Sequence, residues 1–115
     1  MAVNLLAAAT INRAKLYQGQ PGTTDAALYT VPVSTDVKVT SIVICNTTGT
    51  AATLTLNVRT GAVGAANRIL SAFTVAPNDT VTLETPVMLT AADVISGLQG
   101  TASALTVTIS GETYA

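Results

Sequence analysis

The sequence predicts an all-β fold: an antiparallel β-sandwich, jelly-roll-like or Greek-key, of eight or nine short strands with a short N-terminal arm. Three observations carry that expectation. Threonine alternates with an apolar residue in TLTLNVR at 53–59, in TVTLET at 80–85 and in LTVTIS at 105–110. A period of two marks a strand with one face in a core. Turn-forming residues recur roughly every 8–12 positions, the spacing of a sandwich. No segment reads as a long helix.

Residues 1–10, MAVNLLAAAT, are rich in Ala and Leu. A helix so short is marginal in water, so they read as an arm or a single turn that needs a surface to dock on. INRAKLY at 11–17 suits a first strand, and QGQPGTTD at 18–25 is a loop by its Gly, Pro and Asp content. ALYTVPV at 27–33 is a second strand, which Pro32 confines to an edge or an end. VKVTSIVICN at 37–46 is a third. Val37, Val39, Ser41, Val43 and Cys45 share one face, and Ile42 and Ile44 the other. A strand apolar on both faces is central or covered. TTGT at 47–50 supplies a turn, and ATLTLNVR at 52–59 returns with Leu54, Leu56 and Val58 inward. These two strands read as the strongest hairpin in the chain.

TGAVGAAN at 60–67 is a loop of small residues, followed by the strand RILSAFTVA with Ile69, Ser71, Phe73 and Val75 on one face. PND at 77–79 is a turn, because Pro presets φ and Asn and Asp bond their own backbone. TVTLE, PVML, VISGLQ and LTVTISGETYA complete the strands, broken at Pro86, at TAAD and at GTASA. The expected core contains Leu28, Val39, Val43, Leu54, Leu56, Phe73, Val81, Leu83, Leu105 and Val107. The threonines of the repeated pattern coat the solvent face, where a β-branched hydroxyl side chain suits an extended backbone.

The 115 residues make one domain, 49% hydrophobic and only 10% charged, with net charge −1. So few surface charges favour association, and a homo-oligomer is expected. The five cations, Arg13, Lys15, Lys38, Arg59 and Arg68, are scattered among acids. That argues against a nucleic-acid partner or an anionic membrane surface. The apolar runs are too short to span a membrane, and the N-terminus is a poor secretory signal. With no His and one Cys, a zinc site and a Ser-His-Asp triad are excluded. Cys45 reads as a buried, inert thiol. The six acids are well separated, so calcium is not expected. Tyr17, Tyr29, Phe73 and Tyr114 are few for a sugar cleft or a base-stacking surface. No enzymatic activity and no cofactor are expected. NTT at 46–48 and NDT at 78–80 match the glycosylation sequon but read as turns.

The stretch AKLYQGQPGTTDAALYTVPVSTDVKVTSIVICNTTGTAATLTLNV, with its LYTVP and SIVICN motifs, resembles small tailed-phage virion proteins. So does TVAPNDTVTLETPVMLTAADVISGLQGTASALTVTISGETYA, through its L-x-x-x-D-x-I run and its SG-x-E ending. The resemblance covers residues 14–115, the sandwich domain, and leaves 1–13 as the arm. It implies a virion structural protein assembled in the host cytoplasm. The favoured role is a capsid decoration protein on the outer shell, partnered by the major capsid protein and oligomeric, with a trimer favoured. A tail- or baseplate-associated β-domain stands close behind. A host-surface, carbohydrate-binding sandwich is the competing class, and convergence of Tyr17, Tyr29 and Tyr114 would mark it. Leu5, Leu6, Ile11 and Arg13 are the candidate assembly interface, because apolar residues at a terminus need a docking surface. That surface is a neighbouring subunit, the capsid protein or the chain's own sandwich.

Overall fold

The computed structural model describes residues 11–84 and 86–115. Two antiparallel sheets pack face to face. Sheet A contains β1 (Ile11–Gly19), β9 (Leu105–Tyr114), β3 (Asp36–Asn46) and then β6 (Thr80–Leu83), with β7 (Val87–Leu89) also paired to β3. Sheet B runs β2 (Ala26–Thr30), β8 (Val94–Gln99), β4 (Ala52–Arg59), β5 (Arg68–Val75). Apart from β4 to β5 and β6 to β7, each consecutive pair of strands lies in opposite sheets. This is the strand order of a jelly roll with its penultimate sheet A strand split in two at Pro86. Pro86 has no N–H to offer a ladder, which suits the break.

The core lies between the sheets. Val37, Val39, Ile42 and Ile44 of β3 face Leu54 and Leu56 of β4 and Ile95 of β8, and Leu105, Val107 and Ile109 of β9 complete it. Leu28, Phe73, Val81 and Leu83 pack around its margin, half-buried. Each fully buried aliphatic side chain here contributes about 1.5–3 kcal/mol by leaving water.

β3 and β4 do not form the expected hairpin. They lie in different sheets, and residues 47–51 cross the gap between them. Both strands carry an apolar face, and the two faces bury each other across the sandwich rather than side by side in one sheet. Asn46 shapes the crossing. Its side-chain N–H group donates to the carbonyls of Thr50 at 2.9 Å and Val75 at 3.1 Å, while its Oδ1 accepts from the Thr48 N–H and hydroxyl. Asn46 is 1% exposed. The first sequon asparagine is therefore a buried turn anchor. Gln99 performs the same task at another crossing. Its Oε1 accepts from the N–H groups of Ala104 and Leu105, and its Nε2 donates to the Pro21 carbonyl.

Two bulges correct the expected facing of side chains. In β3 the register against β9 shifts between Val39 and Ser41, so Thr40 is an extra residue. Such an insertion reverses the inside–outside alternation beyond it. Ile42 and Ile44 therefore enter the core, while Val43 and Cys45, the thiol expected to be buried, turn to the outer face, half-buried. In β5 the register against β4 shifts on both sides of Leu56, and Ala72 takes φ 46°. Leu70 consequently packs on the core while Ile69 is exposed. The same bulge aims the Ala72 N–H at Thr55 Oγ1, 3.0 Å away, so Thr55 is buried rather than part of a solvent-facing threonine coat.

Candidate assembly interface

Strand alternation builds this surface from the residues upward. Sheet A aligns Arg13 with Glu112, Glu112 with Lys38, and Lys38 with Met88, in one row across β1, β9, β3 and β7. Directly opposite side chains on one face have Cβ atoms about 4.5–5.5 Å apart. The row therefore reads cation, anion, cation, thioether along the outer face. Ile11, Tyr114 and Asp36 form the next row toward the end of the sheet. Ile11 is 57% exposed and Met88 53%. Ile11 and Arg13, both predicted as interface residues, thus share one face. They are also the first residues of β1, paired with Tyr114 and Glu112, so the strand expected over 11–17 overlaps the 1–13 arm. Leu5 and Leu6 lie outside the described residues.

Glu112 is the electrostatic centre of the row. The Tyr114 hydroxyl donates to its Oε1 at 2.6 Å, and Arg13 Nε stands 3.6 Å from its Oε2. The tyrosine hydrogen bond holds the Glu112 carboxyl below its ordinary range; partial desolvation opposes this, and Arg13 and Lys38 reinforce it. The same bond raises the Tyr114 hydroxyl pKa. An open groove of about 440 Å³ runs beside this row, lined by Arg13, Ala14, Lys15, Thr40, Ser110, Gly111 and Glu112. Gly111 is what lets the strands close beneath it. A Cβ there would sit 2.3 Å from the Lys38 carbonyl oxygen.

Lys38, Met88 and Glu112 were not singled out from the sequence as interface residues, and Tyr114 was named only as one of three tyrosines that could mark a sugar-binding surface. They are distant along the chain, and only the pairing of β9 with both β1 and β3 brings them together. The period-two spacing of Glu112 and Tyr114 was the one local signal.

Elsewhere the polar chemistry is structural. Asn57 Nδ2 donates to Asp25 Oδ1 at 3.0 Å, Arg59 Nε donates to Ser96 Oγ at 3.1 Å, and Arg59 lies 3.7 Å from Asp25. Together they hold the 20–25 loop on the outer face of sheet B. Among the described residues no three His, Cys, Asp or Glu side chains gather as metal ligands. No helix among them is long and apolar enough to cross a membrane. The tyrosines do not form a common platform. Tyr17 and Tyr29 pack against the core, and burial raises the pKa of each. Tyr114 sits on the outer face, five positions along β9 from the Ile109 partner of Tyr17, or about 17 Å at strand rise. A second, small apolar gap of about 70 Å³ opens between the sheet edges, lined by Ile42, Ile69, Leu70, Leu83 and Val87.

No protein-family model matches the chain, and no curated protein matches it. Two crystal structures of a pentameric capsid protein isolated from metagenomic phage sequences are similar to it, each with TM-score 0.47 and 15% identity. The similarity covers 90% of this chain and 61% or 62% of theirs, so the chain spans about three-fifths of their length.

Proposed function

We propose that this chain is a non-enzymatic virion structural protein, a capsid decoration protein that binds the outer shell as an oligomer and has the major capsid protein as its partner. Its setting is the virion, assembled in the host cytoplasm. The observation that supports the reading best is the outer face of sheet A. There exposed Ile11 and Met88 flank an alternating row of charges, at the end of the strand that continues into the apolar arm. Isolated apolar residues on a surface need no explanation, but paired with a charge row they suit a protein contact. The sparse charge of the chain and its resemblance to small tailed-phage virion proteins agree with this. In the reading, Leu5, Leu6, Ile11 and Arg13 make the assembly contact.

Deleting residues 2–10 tests the arm's part in it. The truncated chain should keep its melting curve and lose binding to empty shells built from the major capsid protein of the same genome. Unfolding of the truncated chain would assign the arm to its own core. Normal binding would make the arm dispensable.

A further inference from the structure

We propose that sheet A continues from one copy of the chain to the next, with the β6–β7 edge of one copy seated against the β1 edge of its neighbour to close a ring. The inference deepens the oligomer in the proposed function and does not depend on the shell contact.

Strand direction permits the joint. β1 is antiparallel to β9, β9 to β3, and β3 to both β6 and β7. A neighbour standing the same way up therefore presents its β1 antiparallel to β6 and β7. Among the described residues β1 pairs only with β9, and β6 and β7 pair only with β3. Apart from Pro86, which has no N–H, both edges retain backbone donors and acceptors of the kind that recruit another strand.

The rows across the sheet then decide what meets. Lys15, Ser110 and Ser41 are aligned. Glu84 directly follows Leu83, the partner of Ile42, so it closes the Ser41 row at the far edge. Lys15 and Glu84 thus stand at opposite ends of one row, both exposed and on the outer face by alternation. A neighbour at the same level sets Lys15 of one copy against Glu84 of the next. Arg13 then meets Met88, and Ile11 lies diagonal to Met88. On the inner face Tyr17, Ile109, Ile42 and Leu83 form another row. Its continuation brings Tyr17 of the neighbour beside Leu83, at the lip of the gap lined by Ile69, Leu70 and Val87.

The alternative joint, β1 against β1, is opposed by charge. An antiparallel pairing centred on Arg13 or on Ala14 sets cation against cation, and like charges directly opposite destabilise a sheet. The two edges also differ in sign: Arg13 and Lys15 on β1, Asp79 and Glu84 flanking β6. This is a head-to-tail contact, which gives a ring where the rotation between copies closes, and not a two-fold dimer.

An exposed ion pair contributes little by itself, so the Lys15–Glu84 pair serves mainly to select partner and register. Charge reversal reads that role directly. Sedimentation velocity of the full chain over a concentration series should show a discrete oligomer. Lys15→Glu or Glu84→Lys alone should shift its half-assembly concentration upward by about ten-fold, as like charges replace an exposed pair. The double variant restores the pair with its signs exchanged and should assemble like the original chain. Melting curves confirm that each variant folds. A wild-type chain that stays monomeric would overturn the proposal, as would single reversals without effect or a double variant as weak as the singles. Rings that form but ignore capsid shells would sink the decoration reading and leave this joint standing.

Discussion

The Asn46 side chain donates to the Val75 carbonyl at 3.1 Å and so ties the end of β3 in sheet A to the end of β5 in sheet B. The same amide fixes the crossing at residues 47–51. Replacing it by Ala takes a partner from the buried Val75 carbonyl and from the half-buried Thr48 N–H, at about 1–3 kcal/mol for a buried group left unsatisfied. Chemical denaturation of Asn46→Ala should show a loss of at least that size. Asn46→Asp should fare little better, because a carboxylate cannot donate to the Thr50 and Val75 carbonyls. An Asp variant as stable as the parent would show that the anchor is not needed.

Paired core substitutions separate the two possible phases of β3. Leu56→Ala should cost about 2–5 kcal/mol, the loss typical of a fully buried Leu. Ile44→Ala should fall in the same range, and Val43→Ala should cost clearly less. Equal losses at Ile44 and Val43 would mean that Thr40 is not a bulge.

Those bulges mark where the sequence stopped being legible. Alternation alone identified the strands, the sandwich and the inward faces of β4 and β9, where Leu54, Leu56, Leu105, Val107 and Ile109 keep strict period two. It assigned Val43 and Ile69 wrongly because an extra residue at Thr40, and others in β5, shift the phase without a local signature such as Gly or Pro. The β3–β4 pairing was misjudged for a related reason. A short turn between two alternating strands looks the same whether it closes a hairpin or crosses a sandwich, and the deciding contact, Asn46 with Val75, spans 29 positions. The charged row of sheet A escaped for the same cause, since Arg13, Glu112, Lys38 and Met88 meet only through non-local pairing.

Gly111 offers a test of the close approach beneath the groove. A Cβ at this position meets the Lys38 carbonyl, which belongs to the backbone and cannot swing aside. Gly111→Ala should destabilise the fold by about 1–3 kcal/mol, the usual cost of overpacking. Gly49→Ala, with nothing within 4 Å of the added Cβ, is the control. Indistinguishable midpoints for the two variants would refute the contact.

Glu112 should be visible in a carbon-detected NMR titration as a carboxyl that ionises below its ordinary value of 4.5. Its folded-state pKa is depressed, so its contribution to stability is present above the unfolded value and is lost as pH falls through the folded one. Tyr114→Phe removes the largest cause and should move the titration up toward the ordinary value. An unchanged Glu112 titration in that variant would show that the 2.6 Å hydrogen bond does not hold in solution.

Metal dependence is expected to be nil. The melting midpoint should be the same with excess chelator, with calcium and with neither. A drop of several degrees in chelator that calcium reverses would reveal a carboxylate site.

The most direct test of the central claim is co-sedimentation of the purified chain with empty shells built from the major capsid protein of the same genome. The account predicts saturable binding to the shell exterior at a fixed number of copies per lattice unit, weakened by Ile11→Asp and by Arg13→Glu in chains that melt normally. A folded chain that stays in the supernatant at every concentration, while binding tail structures or a host-surface glycan, would contradict it.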